Sequence, residues 1–358
     1  MDKSEKKELL SVIDSGWFTE AKKTKEFERM FAEFTGSKYA CAVTSGSAGL
    51  YLGLNALGIK DKDEVIVPDL TFVASPNSVQ ANNATPVLVD IEPNTLNLDT
   101  KILQKNITRK TKAIMTVNFN GRTTNMKILR EIAKKNNLKL IEDAAHSLGS
   151  YYGNKHQGNL SDIGVFSFST PKIITTGQGG MIITNNKKLY ERCKELKDFG
   201  RKIGAKKNMM SAFDHHIVGH NFKFTEFQAA VGISQMKKLQ KRIEIKKKMF
   251  KIYHECLEKI NEITFIETDL NKITPWMSDI IIQNKTKKNK LIKFLDKKNI
   301  ETRIFYPPIH KLKPYFTNNK KFPVSSEISN KGLWLPSSTT LTDKEINFIC
   351  KEIKNFFQ

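Results

Sequence analysis

The sequence predicts an α/β protein, with a large domain built on a mostly parallel sheet and a smaller α+β domain at the C-terminal end. Short apolar runs alternate with helical patterns through the first half of the chain, which is typical of parallel strands joined by right-handed helical crossovers. A long helical pattern then leads into a second group of strands and helices. The 358 residues are enough for two domains. We expect the large domain over residues 1–235 and the small domain over 236–358.

Two helices open the chain, over residues 4–14 and 24–34. Gly16 and Gly36 follow them, and glycine commonly stands just past the end of a helix. Strands then alternate with helices as far as Asp143. The strands are expected at residues 39–43, 64–68, 86–89, 113–117 and 138–141, and the helices at 44–57, 100–106 and 126–136.

The segment after Asp143 is expected to begin a helix at Ala144, which would place His146 on the same face as Asp143, one turn away. The remaining large-domain elements are a strand at 163–168, a helix at 189–197 and a loop at 200–216. Apolar residues at helical spacing predict one long helix over residues 225–260. The small domain should contain strands at 277–283 and 301–305, and helices at 288–298 and 343–356.

Composition favours a soluble globular protein, with 39% hydrophobic and 27% charged residues. No run is apolar enough to span a membrane, and the charged N-terminus lacks the apolar core of a signal peptide. The four cysteines are far apart, so they predict neither a zinc site nor a disulfide framework. We therefore expect a reduced, cytoplasmic protein. These cysteines are Cys41, Cys193, Cys256 and Cys350.

The formal net charge of +22 raises the alternative of a nucleic-acid-binding protein. Such a protein would bind with a steep salt dependence and would carry clustered lysines. Here the lysines are spread along the chain among Asn and Ile residues, and no nucleic-acid-binding motif is present. Solvated lysine-rich faces are the simpler interpretation. The adjacent His215 and His216 have no carboxylate or third histidine at ligand spacing, so no metal site is expected.

Asp143 and Lys172 are the two residues that point to chemistry. Asp143 follows an apolar strand, and ligands of α/β sheets usually bind beyond the carboxyl ends of the strands. Lys172 follows a second strand and precedes the glycine-rich turn 177–180. A lysine that forms a Schiff base with an aldehyde, next to an acid that pairs with a ring nitrogen, is the arrangement that pyridoxal 5'-phosphate (PLP) requires. The alternative is a helix-capping Asp and a surface Lys.

The residues Gly46 and Ser47 stand where the first strand runs into a helix. Small residues there expose backbone N–H groups at the positive end of the helix dipole, so the segment could bind a phosphate or simply form an ordinary N-cap. Phe72 follows the second strand, and its ring is a candidate for stacking on a flat heteroaromatic ring, although a phenylalanine beside a strand is often a core residue.

The whole string from residue 141 to 181 resembles the signature of the DegT/DnrJ/EryC1/StrS family of PLP-dependent nucleotide-sugar aminotransferases. The shared features are an acidic Glu-Asp-Ala-Ala segment, a Ser-Asp pair, Phe-Ser-Phe, a lysine and a glycine turn. The resemblance extends over almost the entire chain. It implies a fold-type-I PLP-dependent transferase, similar to aspartate aminotransferase, with a mostly parallel seven-stranded sheet.

The resemblance also implies roles for individual residues. Gly46 and Ser47 would hold the PLP phosphate together with Ser167, and Phe72 would stack on the pyridine ring. His146 would lie near the phenolic oxygen or the ring. The segment 219–230 is similar to a family motif whose asparagine reaches the PLP phosphate of a neighbouring subunit. This implies that Asn221 does the same in a homodimer with shared active sites.

Several positions depart from the family pattern. Asn118 stands where many relatives have histidine, Gln178 replaces an acidic residue in the glycine turn, and Lys223 replaces an arginine. Lys223 keeps a positive charge but loses bidentate geometry. Lys172 itself is retained, whereas relatives that dehydrate sugars have histidine there, and this favours transamination. Arg303, Tyr306 and His310 lie in a segment similar to one that lines the substrate pocket in the family.

The expected reaction is transfer of an amino group from glutamate to a nucleotide-linked 4-keto-6-deoxy sugar. The run 173–177 after Lys172 is more similar to relatives that aminate sugar C4 than to those that aminate C3. A C3-keto sugar or a cyclitol remains open as substrate. A PLP-binding protein of the same fold without catalytic activity is the other alternative, and the joint presence of Lys172, Asp143 and Ser167 argues against it.

Overall fold

The computed structural model describes residues 1–204, 214–316 and 321–358. Part of the predicted loop at 200–216, residues 205–213, lies outside the described residues. Within the described ranges, no helix combines the length and the apolar character needed to cross a membrane.

A seven-stranded sheet forms the centre of the large part of the protein. Its strands, in their order across the sheet, are β1 (Tyr39–Val43), β9 (Gly180–Thr184), β8 (Ile163–Ser167), β5 (Lys139–Asp143), β4 (Thr111–Val117), β2 (Glu64–Pro68) and β3 (Thr85–Val89). All neighbouring pairs are parallel except the two that involve β9, which is antiparallel to β1 and β8. The prediction of a mostly parallel seven-stranded sheet is therefore confirmed. A small hairpin, β6 (Tyr151–Tyr152) and β7 (Lys155–His156), precedes β8.

Helices cover the sheet and bury its apolar side chains in continuous cores. The first two end where the glycines predict, since Gly16 and Gly36 adopt left-handed backbone angles with φ of 64° and 65°. The predicted helix at 100–106 is an α-helix only to Leu103 and then tightens into a 3₁₀ turn. The helices are α1 (Lys3–Ser15), α2 (Lys22–Thr35), α3 (Gly46–Ala56), α4 (Ala74–Ala81), α5 (Thr100–Leu103), α6 (Met126–Lys135) and α7 (Lys187–Lys197).

The predicted helix after Asp143 is wrong, because residues 144–150 form turns. The N–H of Ala144 still donates to the carbonyl of Val165 in β8, so the chain stays extended one residue beyond β5. The N–H of Ala145 then donates to the Asp143 carboxylate, a local turn that competes with helix formation.

The single long helix predicted over residues 225–260 is also wrong. It is two helices, α8 (Glu226–Lys237) and α9 (Leu239–Leu257), separated at Lys238, whose φ of −101° and ψ of −5° depart from helical values. The Lys238 ammonium bonds Asp2, the N-cap of α1, and Glu5 in its first turn. We propose that the domain boundary lies at 235/236, in the last turn of α8, since the second half of α9 packs into the core of the C-terminal part.

The C-terminal part is a four-stranded antiparallel sheet packed against helices, with its strands in the order β10 (Ile263–Thr264), β11 (Ser278–Ile282), β13 (Gly332–Leu335) and β12 (Arg303–Ile304). A buried ion pair joins it to the large part: the Arg122 guanidinium bonds both carboxylate oxygens of Asp279 at 2.8 and 2.9 Å. Its further helices are α10 (Lys285–Asp296), α11 (Pro323–Lys331) and α12 (Asp343–Phe357).

Candidate active site

A cavity of about 270 Å³ opens at the carboxyl ends of the parallel strands, between the large sheet and the C-terminal part. Asp143 ends β5, Ser167 ends β8, and the N-terminus of α3 faces the same space. Trp276, Arg303 and Tyr306 close the cavity from the C-terminal part. Seven of the eight residues predicted to bind the cofactor line this cavity: Gly46, Ser47, Phe72, Asp143, His146, Ser167 and Lys172.

The Asp143 carboxylate is buried, with 6% of the residue exposed. The Ser75 hydroxyl donates to Oδ2 at 2.8 Å, and the Ala145 N–H donates to Oδ1 at 3.2 Å. Burial raises the pKa of Asp143, while these hydrogen bonds and the charge of Lys172 act in the opposite direction. Such a carboxylate is best stabilised by a further positive charge. Ser75 belongs to α4, which the sequence analysis did not predict.

The Lys172 ammonium lies over the face of the Trp276 ring, 4.3 Å from its centroid. Burial lowers the pKa of Lys172 to about 7, with the charge of Asp143 raising it and that of Arg303 lowering it. A large fraction of this amine is therefore neutral, and nucleophilic, near neutral pH. The indole N–H of Trp276 also donates to the carbonyl of Pro171 at 2.7 Å, which ties the preceding residue in place.

The His146 ring stacks on Trp276, the same residue that Lys172 contacts. Its centroid is 3.9 Å from that of Trp276 with an interplanar angle of 20°, and Nε2 is 3.4 Å from the Tyr306 hydroxyl. Burial lowers the pKa of His146 well below its usual value, and the positive charges of Lys172 and Arg303 add to this effect. The ring is therefore neutral. Its buried Nδ1 has no hydrogen-bond partner among the described residues.

Gly46, Ser47 and Ser167 meet at the N-terminus of α3. Ser45 is the N-cap of this helix, with its hydroxyl accepting the Ala48 N–H at 3.1 Å. The N–H groups of Gly46 and Ser47, in the first helical turn, have no intrahelical acceptor, and such groups are suited to bind an anion. A Cβ on Gly46 would lie only 3.0 Å from that of Ser167. The glycine therefore lets β8 and the helix approach closely around this site.

The glycine turn after Lys172 lets β9 pass close to the N-terminus of α3. A Cβ on Gly180 would come within 2.5 Å of the Ser45 carbonyl oxygen, so only glycine fits this position of β9. The neighbouring Gln178 lines the cavity, and its carbonyl accepts the Gln228 amide at 2.8 Å.

Two predicted cofactor residues, Phe72 and Asn221, are exposed. Phe72 lines the cavity but is 50% exposed, and its ring is tilted against that of Tyr306 at 5.4 Å. Asn221 does not line the cavity of its own chain; it is exposed and forms a backbone bridge with Asp198. The nearby Lys223 pairs with Asp198 at 2.8 Å.

Asn118 and His310 each take part in a buried hydrogen-bond network. The Asn118 amide donates to the Glu142 carboxylate at 3.0 Å, and that carboxylate also orders the 158–161 segment through three further hydrogen bonds. His310 does not line the cavity. It is buried, with Nδ1 2.6 Å from the Asp69 carboxylate.

The fold and the site are those of a PLP-dependent aminotransferase. The chain belongs to the DegT/DnrJ/EryC1/StrS aminotransferase family, whose model matches residues 1–354. It is 35% identical to the GDP-perosamine synthase of Escherichia coli O157:H7, over 99% of this chain and 95% of that protein. It is 33% identical to the dTDP-3-amino-3,6-dideoxy-alpha-D-galactopyranose transaminase of Aneurinibacillus thermoaerophilus, over 96% and 93% of the two chains. The PLP form of Spr1654 from Streptococcus pneumoniae has the same fold, with a TM-score of 0.93, 25% identity, and coverage of 100% and 96%.

Proposed function

We propose that this sugar aminotransferase moves an amino group from glutamate to C4 of a nucleotide-linked 4-keto-6-deoxy sugar. The observation that carries the proposal is a buried carboxylate, Asp143, and a lysine with a pKa of about 7, Lys172, in one cavity. Similarity to a GDP-perosamine synthase supports a nucleotide-linked sugar as the acceptor. The product would enter surface-polysaccharide or glycan biosynthesis, and we place the reaction in the cytoplasm.

The residues present fit PLP. The anion site at Gly46, Ser47 and Ser167 suits a phosphate, and the buried Asp143 suits a protonated ring nitrogen. The unpartnered Nδ1 of His146 suits a polar substituent of the ring, or a water bound to it. Phe72, at the cavity mouth, would cover one face of the ring once the cofactor is in place.

When bound, PLP supplies an aldehyde that amines can bond and a ring that withdraws electrons from the reacting carbon. Lys172 would hold the cofactor through its amine and, when displaced by the amino donor, would take and return the proton that moves between carbon atoms. A pKa of about 7 suits both tasks, because neutral and protonated amine coexist at neutral pH. Asp143 would keep the ring nitrogen protonated, and the serine hydroxyls and helix N–H groups would fix the phosphate.

The position of amination rests on the run 173–177 after Lys172, which is more similar to C4-aminating relatives. One of the relatives is named as a 3-amino sugar transaminase, so a C3-keto sugar is the competing acceptor.

We further propose a homodimer in which Asn221 completes the partner subunit's phosphate site. Its exposure, and its position away from the cavity of its own chain, are what this role requires.

A substrate panel tests the reaction. GDP-, dTDP- and UDP-linked 4-keto-6-deoxy sugars, and a dTDP-linked 3-keto sugar, would each be incubated with glutamate and the holoenzyme, and the amino sugar would be identified by mass and by NMR. We expect a 4-amino product from one of the 4-keto sugars. A product from the 3-keto sugar alone would reassign the position, and no product from any would refute the sugar substrate. A cofactor band that glutamate leaves unchanged would favour the non-catalytic alternative.

A further inference from the structure

Lys172 lies on a segment without regular secondary structure. β8 ends at Ser167 and β9 begins at Gly180, so the backbone of this lysine belongs to neither a helix nor a strand. Its N–H donates to the carbonyl of Ser169 at 3.0 Å, which is a local turn. A reacting group on a loop has a defined position only when its surroundings fix the loop. The contacts that fix residues 171–173 therefore bear on the reactivity of Lys172.

The C-terminal part holds the carbonyl groups on both sides of Lys172. The indole N–H of Trp276 donates to the Pro171 carbonyl at 2.7 Å. The guanidinium of Arg242, in the first turn of α9, donates to the Ile173 carbonyl at 2.9 Å. The two residues next to Lys172 are thus held by hydrogen bonds that come from outside the large sheet.

Lys246 lies one turn beyond Arg242 on α9, and residues four apart share a face of a helix. Its ammonium donates to the Trp276 carbonyl at 2.6 Å and to the Ser337 carbonyl. One face of α9 therefore reaches Lys172 by two routes. Arg242 acts through the residue that follows Lys172, and Lys246 acts through Trp276.

The burial of Lys246 is unfavourable for folding. The residue is 5% exposed. Burial and the like charge of Arg242 lower the pKa of Lys246 to about 7, and no carboxylate of the described residues offsets these two effects. A buried cation without a carboxylate is costly compared with an apolar side chain of similar volume. A role in stability alone would therefore favour an apolar residue here, whereas holding the Trp276 carbonyl requires a hydrogen-bond donor.

We propose that Arg242 and Lys246 are positioning residues for Lys172, which fix the loop that presents its amine to the cofactor. Neither cation lines the catalytic cavity, so both act through the residues that they bind. The inference rests on the proposed role of Lys172 in holding PLP. It requires neither the amino donor nor the sugar, and it can be tested without them.

The rate at which cofactor-free protein takes up PLP, followed by the visible band, tests the inference without turnover. Arg242→Met should slow this uptake about tenfold, because loss of a charge-assisted hydrogen bond lets Lys172 leave its reactive position. Arg242→Lys, which keeps a charged donor, should recover most of the wild-type rate. The matched control is Lys241→Met, an exposed lysine next to Arg242, which should take up PLP like wild type.

A double-mutant cycle separates positioning from a general loss of structure. Lys246→Met should slow PLP uptake about tenfold in the wild-type background. It should change the rate by less than about twofold in Trp276→Ala, since the route from Lys246 to Lys172 runs through that indole. Arg242→Met should keep its full effect in Trp276→Ala, since it acts through Ile173.

Wild-type uptake rates in Arg242→Met and Lys246→Met would overturn the inference. Equal losses for Lys246→Met in the two backgrounds would also overturn it, because they would show a structural effect that does not pass through Trp276. Where Lys246→Met does not fold, the comparison of Arg242→Met with Arg242→Lys decides, and equal losses in those two variants refute positioning by Arg242. A wild-type protein that takes up no PLP would refute the proposed role of Lys172 itself. Slow uptake in the variants, with normal uptake but no amino sugar from wild type, would refute the proposed reaction and leave the positioning role standing.

Discussion

The indole of Trp276 contacts both His146 and Lys172: its ring centroid lies 3.9 Å from that of the stacked imidazole and 4.3 Å from the lysine ammonium. One side chain of the C-terminal part thereby positions two groups of the large part. The contact explains how the small sheet takes part in a site that is otherwise built on the ends of the large sheet.

Removal of this ring should slow the chemistry more than it weakens cofactor binding. In Trp276→Ala, Lys172 and His146 both lose the aromatic ring that they contact. Small displacements of reacting groups reduce the rate of reaction strongly. We expect the rate of cofactor conversion by glutamate to fall by about 10- to 100-fold in a single-turnover stopped-flow measurement. Trp276→Phe, which retains an aromatic face, should lose less. Equal losses in both variants would contradict this account of the ring.

The pH dependence of PLP incorporation should reveal the low pKa of Lys172. The neutral amine is the reactive form, and the pKa of about 7 means that this form increases as the pH rises toward 7. The rate at which cofactor-free protein takes up PLP should therefore rise about tenfold per pH unit below pH 6 and level off above about pH 8. A rate that keeps rising to pH 10, as for an ordinary lysine, would show that burial does not perturb this amine.

Lys246 should make the stability of the protein depend on pH. This lysine of α9 is buried, its ammonium donates to the carbonyls of Trp276 and Ser337, and burial lowers its pKa to about 7. Between pH 7 and 10 the unfolded chain binds the proton that the folded chain lacks, so stability should rise with pH by up to about 1.4 kcal/mol per unit. The urea midpoint of wild type should therefore increase relative to that of Lys246→Met as the pH rises from 7 to 10.

The matched control for this measurement is Lys248→Met, an exposed lysine on the same helix. Its urea midpoint should follow that of wild type at every pH. A constant difference between wild type and Lys246→Met from pH 7 to pH 9 would contradict the perturbed pKa of Lys246.

The Arg122–Asp279 pair should be a major link between the two parts of the chain. Both side chains are buried, and Asp279→Ala would leave the guanidinium without its anion, which typically costs about 3–5 kcal/mol. We expect a clear fall in thermal midpoint. The exposed pair Arg29–Glu33 provides the comparison, and Glu33→Ala should cost less than about 1 kcal/mol. Similar effects of the two substitutions would show that the buried pair is not a structural link.

Much of the large sheet and most of the site could be predicted from sequence, because their signals are local. Apolar strands followed by Asp143 and Lys172, and small residues at the start of α3, each lie within a few residues of the group they position. The strand β9 was missed, although the glycines before it were noted, since a short apolar run does not reveal its direction or its partners.

The residues missed at the site are those that distant segments supply. Trp276 contacts Pro171 across 105 positions of the chain, and no pattern around a single tryptophan indicates such a contact. Ser75 escaped notice because α4 was not predicted. The helix expected after Asp143 failed for a related reason: a backbone hydrogen bond to Val165, on a neighbouring strand, holds Ala144 in an extended form.

The most direct test of the central claim is the visible absorption spectrum of the purified protein with PLP, before and after addition of glutamate, in wild type and in Lys172→Ala. We expect a cofactor band in wild type that glutamate removes, and no such band in Lys172→Ala. A wild-type protein that acquires no band would contradict the assignment of Lys172 and Asp143 to PLP, and with it the proposed reaction.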